Sequence, residues 1–331
     1  MTKPIRRNNR LVAFIRRPMP LIIVCTTSVF PIYYYKVLYS GLVDLNPASH
    51  RHNPAPVPLL DLVGVRSMVL HIGSNKDPIM PKEAAGPCAI GIAFEPIVPH
   101  LIPEHPQIYV VPSAVVETSG GGMASMYTYN KNGVSSSLSK SSTTDEFWNN
   151  NARRKDGKQK FVPTLSLTTL LQSIPLKVEI TFIKTDMQGH DFGALAAGGA
   201  ALVARGVRYI ETETFWKDSY QYKEVHNDLC RDWLPLMAKL GYDYDFTRRN
   251  EGYCPKDQFG TVELAQQTCA KYIAEYPVRQ QTNSDTKYTC NVLWRLKGVA
   301  STGNTSPYDH PTLGKKAPYT FTAEEYSSCF K

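Results

Sequence analysis

Three short segments of the chain carry side chains whose types and spacing could do chemistry. The first is Val69-Leu70-His71-Ile72-Gly73-Ser74-Asn75, an apolar run closed by a glycine and then by small polar residues. Such a turn lets backbone N–H groups approach a ligand at the carboxyl edge of a sheet. The second is Ala93-Phe94-Glu95-Pro96. A carboxylate roughly 20 residues beyond a glycine turn is placed to accept both hydrogens of a ribose hydroxyl pair. The other reading of Glu95 is a surface carboxylate or a helix cap. The third segment, IKTDMQGHD, runs from Ile183 to Asp191. In a doubly wound sheet the end of the fourth strand lies beside the first, at the ligand crevice. Asp186 there can meet a bound donor, a substrate hydroxyl or a metal. His190 titrates near neutrality when unperturbed and suits a general base; alternatively it caps a helix or faces solvent.

These segments need a sheet to bring them together. Short apolar runs rich in β-branched and aromatic residues predict strands over 67–73, 89–95, 108–115, 178–186, 207–213, 242–246 and 289–297. Helix-like stretches fall between the later ones. Thr168 to Ser173 is short, and Ala194 to Arg205 ends at Gly206. His226 to Leu240 places Leu229, Trp233, Leu236, Met237 and Leu240 at helical spacing, with Pro235 as a potential kink. Strands alternating with helices imply an α/β fold with a mainly parallel, doubly wound sheet. No helix is evident between the last two strands, so the seventh is expected to be antiparallel. The Ser/Gly/Thr-rich and then basic stretch 119–160 reads as a lid or substrate loop, or as a solvent-exposed excursion.

Taken in order, HIGSN, AFEP, VVPSAV, VPTLSLTTLL, IKTDMQGHD and YIETE resemble the signature of FkbM-type methyltransferases, over roughly Ser67 to Arg295. The resemblance implies a Rossmann-like, seven-stranded doubly wound sheet of the class I methyltransferase type. It also implies S-adenosylmethionine as cofactor and O-methylation of a hydroxyl on a glycan or small metabolite. Carried over by residue, His71, Gly73, Ser74 and Asn75 form the turn on the methionine side. Glu95 holds the ribose, and Ser113 and Ala114 lie near the adenine. Lys184 and Asp186 match the later motif, with Asp186 at the reaction centre. Methyl transfer to oxygen is easiest as the hydroxyl proton leaves, so Asp186 and His190 are the candidate catalytic pair. Three positions depart from the family pattern: His71 replaces an Asp, Asp77 a second glycine and Gln188 a Glu. They point to weakened donor binding or to a divergent member.

Composition sets the remaining limits. The formal charge is +8, but Lys3, Arg6, Arg7, Arg10, Arg16 and Arg17 supply six of those charges ahead of the first apolar run. The body lacks an arginine stripe interleaved with aromatics, which argues against nucleic acid as a partner. Met19 to Tyr35 is uncharged, about 17 residues long, and closed by Lys36. That length is at the short end of what crosses a hydrocarbon core of roughly 30 Å. With arginines on its N-terminal side it reads as a type II signal anchor, or else as a cleaved signal peptide. The expected layout is a cytosolic basic tail (1–18), a transmembrane helix (19–39), a stalk (40–63), the Rossmann-like domain (64–299) and an extension (300–331). The expected address is the Golgi or ER membrane, with the domain lumenal. Cys88, Cys230, Cys254, Cys269, Cys290 and Cys329 follow the anchor, an even number open to disulfide pairing or to free buried thiols. No metal site is expected for the methyltransferase. Two rivals remain. A Golgi glycosyltransferase could hold a metal and a nucleotide sugar on Asp243 and Asp245. A non-catalytic lumenal protein could use a degenerate form of this fold.

Overall fold

The computed structural model describes residues 64–79, 86–102, 107–118, 121–128, 136–139, 158–215, 225–252, 256–278, 289–300 and 322–330. The expected tail, anchor and stalk lie outside the described residues. Among the described residues no helix is long and apolar enough to cross a membrane.

The main sheet has seven strands: β1 (Ser67–Ile72), β2 (Ala89–Phe94), β3 (Ile108–Val111), β7 (Glu179–Thr185), β8 (Tyr209–Phe215), β9 (Tyr242–Gly252) and β10 (Thr289–Leu296). Their order is β3-β2-β1-β7-β8-β10-β9. β1 pairs in parallel with both β2 and β7, and β7 in parallel with β8. β10 lies antiparallel between β8 and β9, the antiparallel sense expected of the seventh strand. β1 and β2 are buried along almost their whole length, which is what a strand covered on both faces requires. Met68, Leu70 and Ile72 point into the larger core with Ile180, Leu195, Leu202 and Trp233. Val69, Ala93, Phe182 and Leu293 form a smaller core on the opposite face. Each such fully buried side chain contributes roughly 1.5–3 kcal/mol relative to exposure.

The helices follow the sequence periods. α1 (Leu167–Ser173) starts at Ser166, whose side chain accepts from Thr169 N–H. α2 (Asp191–Arg205) stops at Gly206, whose left-handed φ of 58° suits a glycine. The stretch after His226 begins as a π-turn, Leu229–Trp233, capped by Asp228. It continues as α3 (Leu234–Lys239), with Pro235 in the first turn, where no N–H is missed.

Three expectations need correction. The run 108–115 is not one strand: β3 ends at Val111, and Ala114–Val116 forms β4 of a separate three-stranded sheet. The excursion 119–160 is partly ordered as strand. β5 (Gly122–Thr128) pairs antiparallel with β6 (Lys158–Ser166), and β4 pairs parallel with β6. Finally, helices do lie between β9 and β10: α4 (Lys256–Phe259) and the longer α5 (Val262–Glu275). Thr261 caps α5 by accepting from Leu264 N–H, and the buried face is Ala265, Cys269 and Tyr272. Its buried positions include an alanine and a cysteine, so the apolar period is faint.

Disulfides Cys88–Cys329 and Cys230–Cys269 close the fold, and Cys290 is disulfide-bonded too. Cys230–Cys269 ties α5 to the π-turn, beside stacked Trp233 and Trp294, whose centroids lie 6.2 Å apart.

Candidate active site

The ends of β1, β2 and β7 interlock. Gly73 N–H and Ser74 N–H donate to the Phe94 carbonyl at 3.0 and 3.2 Å, while Asp186 N–H donates to the Ile72 carbonyl at 2.8 Å. Gly73 has φ +78°, and a Cβ on it would lie 2.0 Å from the Asp186 carbonyl oxygen. Only glycine satisfies both the left-handed backbone and that approach. The chain then turns through Asn75, also left-handed at φ 48°, a conformation asparagine tolerates better than most residues.

Glu95, at the end of β2, organises this turn. Its Oε2 accepts from Asn75 N–H at 2.8 Å, and its Oε1 accepts from Ile97 and Val98 N–H at 2.7 and 3.0 Å. The carboxylate is therefore buried (6% exposed) and fixed by three backbone donors. A carboxylate oxygen offers two lone-pair positions, so Oε2 retains one for a ligand hydroxyl.

A cleft opens over these strand ends, the place where doubly wound sheets hold their ligands. Gly73, Asn75, Glu95, Ser113, Ala114, Asp186 and His190 all line it. His71 and Ser74 do not. His71 is one residue out of phase with the cleft-lining Ile72, and its Nδ1 accepts from Ile79 N–H at 3.2 Å. Ser74 is buried, with Oγ 3.5 Å from the Asn75 carbonyl. Lys184 is likewise outside the cleft, paired with Glu211 at 3.3 Å. The sequence offered 119–160 as a lid or substrate loop but singled out no residue of the opposite wall. Met126 of β5 and Ser136 and Leu138 of a short segment crossing the cleft complete the lining. No spacing rule picks out residues in so polar a stretch.

One end of the cleft is built from the loop before α2. The Gln188 side-chain amide donates to Asp186 Oδ1 at 2.7 Å and to Glu213 Oε2 at 3.3 Å. A Glu at 188 would present a third carboxylate, so Gln188 is a compatible departure here rather than a disruptive one. His190 occupies the N-cap position of α2, but its side chain makes no cap hydrogen bond. Instead Nε2 lies 2.9 Å from Ser139 Oγ. Burial lowers its pKa, with the Glu117 charge acting in the opposite direction. His190 is thus held neutral at pH 7, the form that accepts a proton.

Asp191 lies beneath this loop, fully buried, and accepts from Met187 N–H at 3.1 Å. Burial first, and the Asp186 charge second, raise its pKa to about 6. A carboxyl whose folded pKa exceeds its unfolded value favours the fold when protonated. Stability therefore falls as pH rises from about 4 to about 6 and stays lower above that. Asp191→Asn keeps an acceptor for Met187 N–H and removes the buried charge. We expect this variant to exceed the native protein in stability at pH 7.5 by up to about 3 kcal/mol, with the difference vanishing below about pH 4. Urea denaturation at the two pH values checks this.

The alternative acidic pair sits elsewhere. Asp243 and Asp245 lie in the first four residues of β9, at the sheet edge opposite the cleft. Both are paired with Arg295, at 3.7 and 3.3 Å, so a guanidinium already occupies the place a cation would take. Among the described residues no cluster of three or more His, Cys, Asp or Glu could hold a metal.

A doubly wound sheet with a glycine turn, an acidic second strand end and a polar fourth strand end over one cleft is the arrangement in which such sheets bind ligands. The model of the methyltransferase FkbM domain matches residues 68–244, more than half of the chain. The chain belongs to this methyltransferase family. No curated protein matches it closely enough to count as a relative.

Proposed function

We propose that the protein uses S-adenosylmethionine to methylate a hydroxyl of a glycan or small metabolite. The observation that carries this is the convergence of Gly73, Glu95, Asp186 and a neutral His190 on one cleft. The residues fit the cofactor. Glu95 keeps a lone pair for a ribose hydroxyl, the Gly73–Asn75 turn brings backbone close, and apolar Ala114, Val115 and Leu138 suit a flat base. When bound, the cofactor supplies an electrophilic methyl group. The chain then has two tasks. Asp186, held by Gln188, fixes the acceptor end of the cleft. His190 Nε2 takes the proton from the acceptor hydroxyl, in the position that Ser139 Oγ marks.

Calorimetry with S-adenosylhomocysteine, followed by a methyl-transfer screen against glycans and small metabolites, tests the reading. Absence of binding would leave the non-catalytic reading, for which His71 and Asp77 are the remaining support. With an acceptor in hand, kcat is expected to rise with pH and level off, with a midpoint below the ordinary histidine value of about 6.5. His190→Gln should lower kcat roughly 100- to 10,000-fold and remove that limb.

The compartment is also a proposal: a Golgi or ER membrane protein anchored through 19–39, with this domain lumenal. Disulfides Cys88–Cys329 and Cys230–Cys269 support it, because such bonds persist in oxidising compartments. Protease digestion of sealed microsomes tests it; cleavage of the domain without detergent would place it on the cytosolic side.

A further inference from the structure

Four residues cross the cleft between the small sheet and the loop before α2. Ser137 N–H and C=O both bond to Tyr127 of β5, at 3.0 and 2.8 Å. Its hydroxyl donates to the Gln188 carbonyl at 2.8 Å. Two residues on, Ser139 Oγ meets His190 Nε2. Ser137 and Ser139 thus face the loop before α2, and Ser136 and Leu138 line the cleft.

Ser136 is the anomaly. It is 95% buried (5% exposed), and its Oγ has no hydrogen-bond partner among the described residues. Buried hydroxyls are nearly always bonded, and one left bare within a ligand cleft points to a ligand. The other polar groups of the cleft are engaged. Glu95 and Asn75 bond each other at the ribose end, Gln188 and Asp186 at the reaction end. Ser113 Oγ donates to the Pro163 carbonyl at 3.1 Å. On the small-sheet wall Met126 and Leu138 pack against the cluster that contains Ala114, and Ser136, two residues before Leu138, lines the same cleft. An apolar wall with one free hydroxyl matches a planar base with a polar edge better than it matches a sugar, which needs many polar partners.

We propose that Ser136 is the residue that reads the adenine of the donor, its hydroxyl accepting from the 6-amino group. This rests on the donor reading above. The crossing segment then has two faces, one on the base and one on His190.

The test is a binding cycle on the full chain, with S-adenosylhomocysteine and its 6-desamino purine analogue as probes. The native protein is expected to bind the adenine compound about tenfold tighter. Ser136→Ala should lose that preference and bind both at the weaker level, while Ser136→Thr, which keeps a hydroxyl, should retain it. Equal weakening of both probes in Ser136→Ala would indicate a purely structural role and overturn the proposal. So would unchanged binding, or an effect confined to the acceptor KM. If the native protein binds neither probe, the donor reading itself fails, an outcome distinct from these.

Discussion

Glu95→Ala is expected to abolish measurable binding of S-adenosylhomocysteine and to lower the melting temperature. The side chain is the shared acceptor for Asn75, Ile97 and Val98 N–H. Each buried donor left unpaired costs roughly 1–3 kcal/mol, and three together approach the 5–15 kcal/mol that stabilises an ordinary domain. Glu95→Gln separates the two effects. It preserves shape and one acceptor oxygen but turns an NH2 group toward backbone donors. We expect this variant to remain folded by circular dichroism and to bind at least about 100-fold more weakly. Native-like affinity in Glu95→Gln would rule out a ribose contact at this carboxylate.

The second large effect concerns Gly73. An alanine there must hold φ near +78° and place its Cβ 2.0 Å from the Asp186 carbonyl oxygen. The left-handed backbone costs roughly 1–3 kcal/mol and overpacking a further 1–3. Relief requires β1 and β7 to separate where Asp186 N–H bonds Ile72. Gly73→Ala should therefore destabilise the protein by about 2–6 kcal/mol and misplace Asp186, so binding and folding fail together. A variant that melts within a degree of the native protein would show that the strand ends are less tightly interlocked than their hydrogen bonds imply.

The two walls of the cleft differ in how readily a sequence reveals them. The main sheet was legible because its strands are continuous apolar runs, and the last strand was expected to be antiparallel, but its insertion beside β8 after α4 and α5 was not legible. Gly73, Glu95 and Asp186 were legible because strand-end position and spacing carry them. The far wall of the cleft was not. β5 and β6 alternate too weakly to announce a hairpin, since Met123 and Phe161 are exposed while the inner residues include Ala124 and Thr164. α5 hid for a similar reason, because cysteine and alanine on its buried face give little apolar contrast. His71 misled in the opposite direction. It stands one place before Ile72, and in a strand one place is the difference between two faces. Asp243 and Asp245 likewise share a face, but that face meets Arg295 on β10, a partner 50 residues away that local spacing does not reveal.

The placement of β10 between β8 and β9 governs how the polypeptide is made. β8 ends at Phe215 and β10 starts at Thr289, 74 positions later. At about 5–20 residues per second, the ribosome needs roughly 4–15 s to cover that interval. Throughout it the nascent β8 presents an open edge beside apolar surface, the configuration most prone to capture by another chain. β9 emerges in the meantime yet has no neighbour to join. The sheet is thus completed only late in synthesis, after the strand ends that line the cleft have already been made.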